Sequence, residues 1–264
     1  MKSFLLSTIL LAAGFSTVAA QTTPLTDPLP EEKETPITCE LKTAPSRAGI
    51  PVFTEAKDGK EAVGTYHYKL WIPKGYAAAP AKKWPCMFIM SPGGNAGMGS
   101  MGDYLKANGF VVVMLTEAKN GQWPPIVGNF LAAHDDVVKR VRIAEGQKYA
   151  TGFSGGARGS SVFVQARPGF CGLVLQGAGA SQSTGNKYNV TGIRANSKLY
   201  TVLTMGTTDD NKKEEEPLKR ALGASKFEII EFEGGHQGAS AEVFAKAMDW
   251  IKSKTGGSAS AFGR

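Results

Sequence analysis

Short continuous runs of apolar residues, separated by segments with helical spacing, limit the possible folds of this chain more than any other feature. Six such runs lie at residues 86–91, 110–115, 149–153, 171–175, 199–205 and 227–232. Strands of a parallel sheet have this composition when helices cover both faces of the sheet. The pattern predicts an α/β fold built on a doubly wound, mostly parallel sheet.

The segments around these runs carry further secondary-structure signals. Residues 130–143 and 239–251 place apolar side chains on one helical face. Residues 64–72 alternate in polarity and end before Pro73, which predicts an antiparallel edge strand. Residues 119–130 contain Trp123 and two prolines and are predicted to form a loop near the carboxyl edge of the sheet. Trp123 then either lines a substrate pocket or packs on the core.

The two ends of the chain differ in composition from its middle. Lys2, an apolar run at 4–13 and small residues at 18–20 predict a cleaved signal peptide over residues 1–20, and therefore secretion or export to a periplasm. No cysteine follows the cleavage position, so no membrane anchor is expected. Composition predicts a disordered segment at 21–37, one domain at 38–254 and a flexible tail at 255–264.

Charge and cysteine content exclude some classes of function. The chain has 30 Lys and Arg against 23 Asp and Glu, a net charge of +7, but the basic residues are scattered rather than clustered. Nucleic-acid binding is therefore not expected. Cys39, Cys86 and Cys171 allow at most one internal disulfide, and the sequence leaves its presence open, as it does the oligomeric state.

One pentapeptide carries a catalytic signature. Residues 152–156 read Gly-Phe-Ser-Gly-Gly and match G-x-S-x-G. A predicted strand at 147–151 precedes the motif and a predicted helix at 157–166 follows it, which is the context of a nucleophile elbow. Ser154 is therefore the candidate nucleophile, with small residues needed where strand and helix crowd each other.

A serine nucleophile needs a base, which in chains with such an elbow follows the serine. Of the three histidines, His67 and His134 precede Ser154, which leaves His236. The base also needs an orienting carboxylate. No Asp or Glu occurs between residue 154 and the pair Asp209 and Asp210, which follow a predicted strand. We prefer Asp209, with Asp210 as the alternative and a helix N-cap as the role of the other.

Two further sequence features concern the oxyanion hole and metal binding. Gly155 is expected to supply one oxyanion donor through its backbone N–H, and Gly94 or Asn95, in the loop after the strand at 86–91, to supply the other. His134 and the two aspartates after it face different directions on a helix, so they predict a solvated helix start rather than a metal site. Neither metal nor cofactor is expected.

With these parts in this order, the chain resembles the α/β-hydrolase superfamily, and most closely its secreted polyhydroxybutyrate depolymerase, feruloyl esterase and dienelactone-hydrolase-like branches. The specific matches are residues 152–156, 206–209 and 235–236, within a resemblance that covers roughly residues 66–252. It implies about eight strands and hydrolysis of carboxylic esters (EC 3.1.1) through an acyl-enzyme. With the family's sheet order, another strand would separate Cys86 from Cys171, too far for a disulfide.

This sequence departs from its relatives at the oxyanion loop, where Ser91 stands in place of the histidine that many of them have. No insertion long enough for a large lid follows the strand at 171–175, which favours an open site. The expected substrate is a small or polymeric ester whose acyl and alcohol parts the sequence leaves open. The alternatives are a prolyl-oligopeptidase-like serine peptidase and a non-catalytic binding protein with the same fold.

Overall fold

The computed structural model describes residues 29–183, 185 and 187–256. Its strands are Glu34–Leu41 (β1), Gly64–Trp71 (β2), Trp84–Met90 (β3), Val111–Leu115 (β4), Ile143–Phe153 (β5), Phe170–Gln176 (β6), Gln182–Ser183 (β7), Lys187–Tyr188 (β8), Tyr200–Gly206 (β9) and Phe227–Phe232 (β10). Its helices are Asp58–Glu61 (α1), Gly102–Ala107 (α2), Trp123–Arg140 (α3), Gly155–Ala166 (α4), Thr191–Ala195 (α5), Glu215–Leu222 (α6) and Ala241–Thr255 (α7), with 3-10 turns at Gly99–Met101 and Asp210–Glu214.

Eight of the strands form one sheet in the order β1-β2-β4-β3-β5-β6-β9-β10. The pairs from β4 to β10 are parallel, whereas β2 runs antiparallel to both β1 and β4. The predicted α/β class and doubly wound sheet are confirmed. Because the parallel strands end at one edge, the loops that follow β3, β5, β9 and β10 meet there.

Helices cover both faces of the sheet and create two hydrophobic cores. Successive residues of β3 point to opposite faces, so Phe88 packs with Phe130 of α3 while Met87 packs in the cluster that holds Phe244 of α7. All five residues of β4 and all seven of β6 are buried. The continuous apolar runs in the sequence therefore reflect burial on both faces.

The edge of the sheet lies one strand further out than the sequence predicted. β2 pairs with β1 on one side and β4 on the other, so residues 64–72 are not an edge strand. β1 takes in residues 34–37, which the sequence analysis had placed in the disordered segment. Only alternate residues of β1 are buried, and Pro36 is one of the exposed residues between them. Proline is tolerated there because an edge strand leaves one side of its backbone unpaired.

Helix α3 also differs from the prediction, since it begins at Trp123 rather than near residue 130. Most of the loop predicted at 119–130 is thus helical. The two prolines occupy the first turn of the helix, where backbone N–H groups have no acceptor within the helix and proline costs little.

The predicted terminal segments are only partly within the structure. The signal peptide at 1–20, residues 21–28 and residues 257–264 lie outside the described residues. Thr255, predicted to start the tail, is the last residue of α7, and Gly256 ends that helix in the left-handed conformation. Among the described residues, no helix is both long and apolar enough to span a membrane.

His134 lies inside α3 and is 4% exposed, so the predicted solvated helix start was wrong. Lys148 Nζ lies 2.8 Å from His134 Nε2, and Asp135 Oδ1 lies 2.9 Å from His134 Nδ1. Since an ammonium group can only donate, Nε2 accepts and the ring proton lies on Nδ1. Arg167 Nε donates to the same Asp135 oxygen, Oδ1 (2.7 Å). Three rings enclose the imidazole: Phe88, Phe130 and Phe170.

This buried cluster predicts that the protein loses stability in mild acid. Burial lowers the pKa of His134 below its ordinary value. The unfolded chain therefore binds a proton first as the pH falls through ~6.5, and the free energy of unfolding decreases by up to ~1.4 kcal/mol per pH unit. Urea titrations at pH 7.5 and 5.5 measure this slope, and His134→Gln should flatten it. An equal slope in both proteins would contradict the prediction.

Candidate active site

Ser154 occupies a sharp turn between β5 and α4. Its φ of 54° and ψ of −118° lie in a region that non-glycine residues rarely adopt. The Ser154 N–H donates to Gln176 O (2.8 Å), which fixes the turn to the end of β6. A strained serine at a strand–helix junction is the geometry of a nucleophile elbow, as the sequence motif predicts.

The two outer glycines of the motif allow this turn to form. A Cβ on Gly152 would lie 2.6 Å from Met90 O, and a Cβ on Gly156 would collide with the same carbonyl. Both contacts are with backbone, which cannot move aside as a flexible side chain can. α4 therefore approaches the end of β3 as closely as it does because neither position carries a side chain.

Three side chains from different loops meet above the turn. His236 Nε2 lies 2.9 Å from Ser154 Oγ, and His236 Nδ1 lies 2.9 Å from Asp209 Oδ2 and 3.2 Å from Oδ1. The Asp209 side chain is fully buried, whereas 42% of the His236 side chain is exposed. The arrangement matches a triad in which the acid orients the base and the base faces the nucleophile. The residues preferred from the sequence are those that come together.

Asp209 fulfils both roles that the sequence analysis had divided between two residues. Besides facing His236, its Oδ1 accepts the Asn211 N–H (2.8 Å) and so caps the 3-10 turn that follows. Asp210 is exposed and is the first residue of that turn. Its side chain is not among the groups that face His236.

Backbone contacts hold the acid loop and the histidine loop together. Thr207 N–H donates to Phe232 O, and Thr208 N–H donates to Gly234 O, both at 2.9 Å. A Cβ on Gly206 would lie 2.5 Å from Gly234 O, so glycine is needed where the loops cross. The separation of Asp209 and His236 is thus set by main-chain contacts beyond the ends of β9 and β10.

No protein-family model matches the chain, and no curated protein matches it. Solved structures do match. A ferulic acid esterase is 13% identical, with a TM-score of 0.53 over 85% of this chain and 96% of that one. The fluorophosphonate-binding serine hydrolase F of Staphylococcus aureus is 10% identical, with a TM-score of 0.56 over 83% and 98%. A puromycin hydrolase is 10% identical, with a TM-score of 0.54, and the match covers 88% of this chain but 41% of that one.

The chain has the α/β-hydrolase fold. At these identities the likeness is one of fold, and the resemblance to the superfamily inferred from the sequence is confirmed at that level. The elbow serine, the acid after β9 and the histidine after β10 stand in the chain order that α/β-hydrolases use.

Two of the three backbone N–H groups predicted as oxyanion donors already have acceptors in the structure. Gly94 N–H donates to Ser91 O (3.1 Å) and Asn95 N–H donates to Thr116 O (2.8 Å), so both are occupied and neither can serve an oxyanion. Both residues have positive φ, which turns the loop towards the end of β4. Gly93, one residue earlier, is exposed, and its N–H makes only a 3.4 Å contact with Ser91 Oγ.

Gly155 remains in the role that the sequence predicted. It is the first residue of α4, and within the described part of the chain its N–H has no hydrogen-bond partner. A donor at this position lies next to Ser154 and at the positive end of the helix dipole. Gly155, whose N–H has no partner among the described residues, and Gly93, whose N–H makes only the long contact with Ser91 Oγ, are the two groups we propose for a developing oxyanion.

Sequence reasoning missed Asn120, which contacts the elements that carry both donors. Its backbone N–H donates to Pro92 O (2.9 Å). That oxygen belongs to the same peptide group as the Gly93 N–H. Its side-chain oxygen occupies the space that a Cβ on Gly155 would need. The available signal was Gly155 itself, since the motif accepts any residue there and glycine indicates a close neighbour.

The remaining candidates from the sequence, Trp123 and the three cysteines, pack against or within the core. Trp123 starts α3 and packs, partly exposed, against the core, so its contact with substrate stays a prediction. The three cysteines are unpaired and buried, and β5 separates Cys86 from Cys171. Burial raises the pKa of Cys39 to about 12 and that of Cys171 to about 11, so these thiols are not nucleophiles at neutral pH.

Proposed function

We propose that this protein is a serine hydrolase that cleaves carboxylic esters through an acyl-enzyme. The observation that carries the proposal is the continuous hydrogen-bonded series Asp209–His236–Ser154, with its serine on a strained elbow. A series of this kind removes a proton from the serine hydroxyl as that hydroxyl attacks, which an isolated serine cannot achieve.

The geometry supports the following sequence of steps. Ser154 Oγ attacks the ester carbonyl while its proton passes to His236 Nε2, and the carbonyl oxygen takes the negative charge beside the N–H groups of Gly155 and Gly93. The tetrahedral intermediate collapses, and the leaving alkoxide takes the proton from His236. Water then attacks the acyl-enzyme while it loses a proton to His236. The second tetrahedral intermediate collapses, Ser154 Oγ leaves and takes that proton from His236, and the carboxylic acid is released. Asp209 stabilises the imidazolium in both halves.

Esters are proposed as substrates in preference to amides because of the structural neighbours and the openness of the site. The solved structures of the same fold include one described as a ferulic acid esterase and one as a fluorophosphonate-binding serine hydrolase. The half-exposed His236 and the absence of a large lid insertion in the sequence suit side-chain or polymeric esters as well as small ones.

A peptidase is the second candidate, because the puromycin hydrolase shares the fold. That protein is more than twice as long as the matched region, so the match concerns only the fold that the two chains share. Export rests on the signal peptide predicted at residues 1–20, and detection of a mature chain starting at Gln21 would test it.

We expect Ser154→Ala to abolish activity. Loss of the nucleophile in such a triad lowers kcat by ~10⁶-fold, so hydrolysis of p-nitrophenyl acetate should fall to background. A fluorophosphonate probe should add one phosphonyl group to the parent protein, measured by intact mass, and none to the variant. Probe labelling that survives Ser154→Ala, or no labelling of the parent protein, would overturn the proposal. Peptide p-nitroanilides, assayed in parallel, test the peptidase alternative.

The histidines offer a matched pair of controls. His67 lies on β2, where it pairs with Glu117 (2.7 Å), and it is not part of the triad. His236→Ala should therefore lose activity to an extent close to that of Ser154→Ala, while His67→Ala should retain it. Non-catalytic binding by the same fold predicts no hydrolysis in any of these proteins.

A further inference from the structure

A cavity of about 270 Å³ opens at the carboxyl edge of the sheet, beside the elbow. The residues that line it are mainly apolar and include Ile89, Met98, Met101 and Phe153. Methionine is unbranched and adapts its shape to whatever it contacts. The lining therefore suits a flexible apolar group better than a rigid polar one.

The polar groups at the base of this cavity are already paired. Gln176 is 3% exposed, and its Nε2 donates to Thr151 Oγ1 (2.9 Å) and to Met101 Sδ (3.4 Å). Its Oε1 accepts the Ala239 N–H (2.9 Å), and Ser100 Oγ donates to Ala239 O (2.6 Å). A polar ligand group would lose its water there without gaining a partner, which makes its burial costly.

The walls of the cavity adjoin the reacting groups. Phe153 directly precedes Ser154, and its ring lies 4.7 Å from the His236 ring. Ser91 and Pro92 of the oxyanion loop form another part of the wall. Gly238, two residues after His236, also lines it. A group that enters this cavity thus lies next to an ester held at Ser154.

The mechanism decides which part of the ester enters. The leaving oxygen must face His236 Nε2 in order to receive its proton, and the carbonyl oxygen must face Gly155. The acyl chain is the remaining substituent. Most of the lining comes from residues 89–101, on the side of the oxyanion loop, rather than from the loop that carries His236.

We infer that this cavity is the acyl subsite, and that it takes an unbranched aliphatic chain of medium length. The inference rests on the proposed ester hydrolysis. The cavity volume corresponds to about nine water molecules at ~30 Å³ each. Because a methylene group is similar in size to water, the cavity accommodates roughly six to eight carbons and excludes most of a long fatty acyl chain.

A series of p-nitrophenyl esters from acetate to dodecanoate tests the parent protein. Burial of each methylene contributes about a fourfold gain in kcat/KM, so the values should rise to hexanoate or octanoate and then level off or fall. A second series, from methyl to octyl acetate, varies only the alcohol. A chain-length dependence confined to the alcohol series, or none in the acyl series, would overturn the inference.

Two variants change the cavity in opposite directions. A Cβ on Gly97 meets nothing within 4 Å and φ is not left-handed there, so the backbone accepts a side chain at the position changed in Gly97→Trp. It should lower the octanoate-to-acetate ratio of kcat/KM at least tenfold. Met98→Ala should move the optimum to longer acyl chains. Val138→Trp adds the same ring on an exposed face of α3 and should leave the ratio unchanged.

The outcomes separate this inference from the proposed function. Hydrolysis and Ser154-dependent labelling without any response of the acyl profile to Gly97→Trp and Met98→Ala would refute the acyl subsite alone. Absence of hydrolysis and labelling in the parent protein would refute the function itself. Thermal melting of each variant identifies a loss of activity that comes from unfolding.

Discussion

Asp209→Asn is expected to lower kcat about 10⁴-fold. The asparagine NH₂ group would donate to His236 Nδ1, which places the ring proton on Nε2 and leaves no acceptor for the proton of Ser154. The asparagine oxygen can still accept the Asn211 N–H that Asp209 now accepts, so the fold should persist. The expected defect is thus one of catalysis.

Asp210→Asn is the matched control, since it makes the same change one residue away on an exposed side chain. Steady-state kinetics with p-nitrophenyl acetate, together with urea denaturation of both variants, provide the comparison. We expect Asp210→Asn to remain within about twofold of the parent protein, as is usual for surface substitutions. Similar losses at both positions would remove the assignment of Asp209.

Gly156→Ala is expected to destabilise the protein more than its size suggests. The added Cβ would collide with Met90 O. Neither atom can swing aside, because the Cβ is bonded directly to the backbone of α4 and the oxygen belongs to the backbone of β3. Overpacking of this kind costs ~1–3 kcal/mol, occasionally more, and here it can be relieved only by moving α4 away from β3. Since Ser154 precedes that helix directly, its distance of 2.9 Å from His236 should increase and activity should fall with stability.

Gly64→Ala provides the comparison, because its Cβ would meet only the Tyr66 side chain at an ordinary 3.6 Å. Such a change is neutral or stabilises by ~0.4–1 kcal/mol. Urea denaturation gives both free energies of unfolding. If Gly156→Ala were as stable as Gly64→Ala and fully active, close packing at the elbow could not explain the glycine.

The parts of the structure that were predictable from sequence are those in which one local cause acts. β4 and β6 are buried on both faces, so composition alone indicated strands. β1 is half-buried and contains Pro36, and its strand character depends on pairing with β2, which no local pattern encodes. The prolines of α3 suggested a loop because the same residues suit both a turn and the first turn of a helix.

The residues of the candidate site likewise fall into those that were predictable from the sequence and those that were not. Ser154, Asp209 and His236 followed from chain order and from the scarcity of eligible residues. The second candidate oxyanion donor did not, because the pairing of Asn95 with Thr116 depends on where the end of β4 lies in space. Asn120 was missed for the same reason, since its contact with Gly155 joins loops that follow different strands.

Phe153 contributes to two sites at once. It lines the methionine-rich cavity, and its ring also lies against the His236 imidazole. An aromatic ring at 4.7 Å changes the magnetic shielding of its neighbour whenever it tilts. We expect an acyl chain bound in the cavity to tilt the Phe153 ring and thereby to shift the His236 ring resonances in an NMR spectrum. An ether analogue, which has no carbonyl for Ser154 to attack, would let occupancy be followed at His236 with no chemical step taking place.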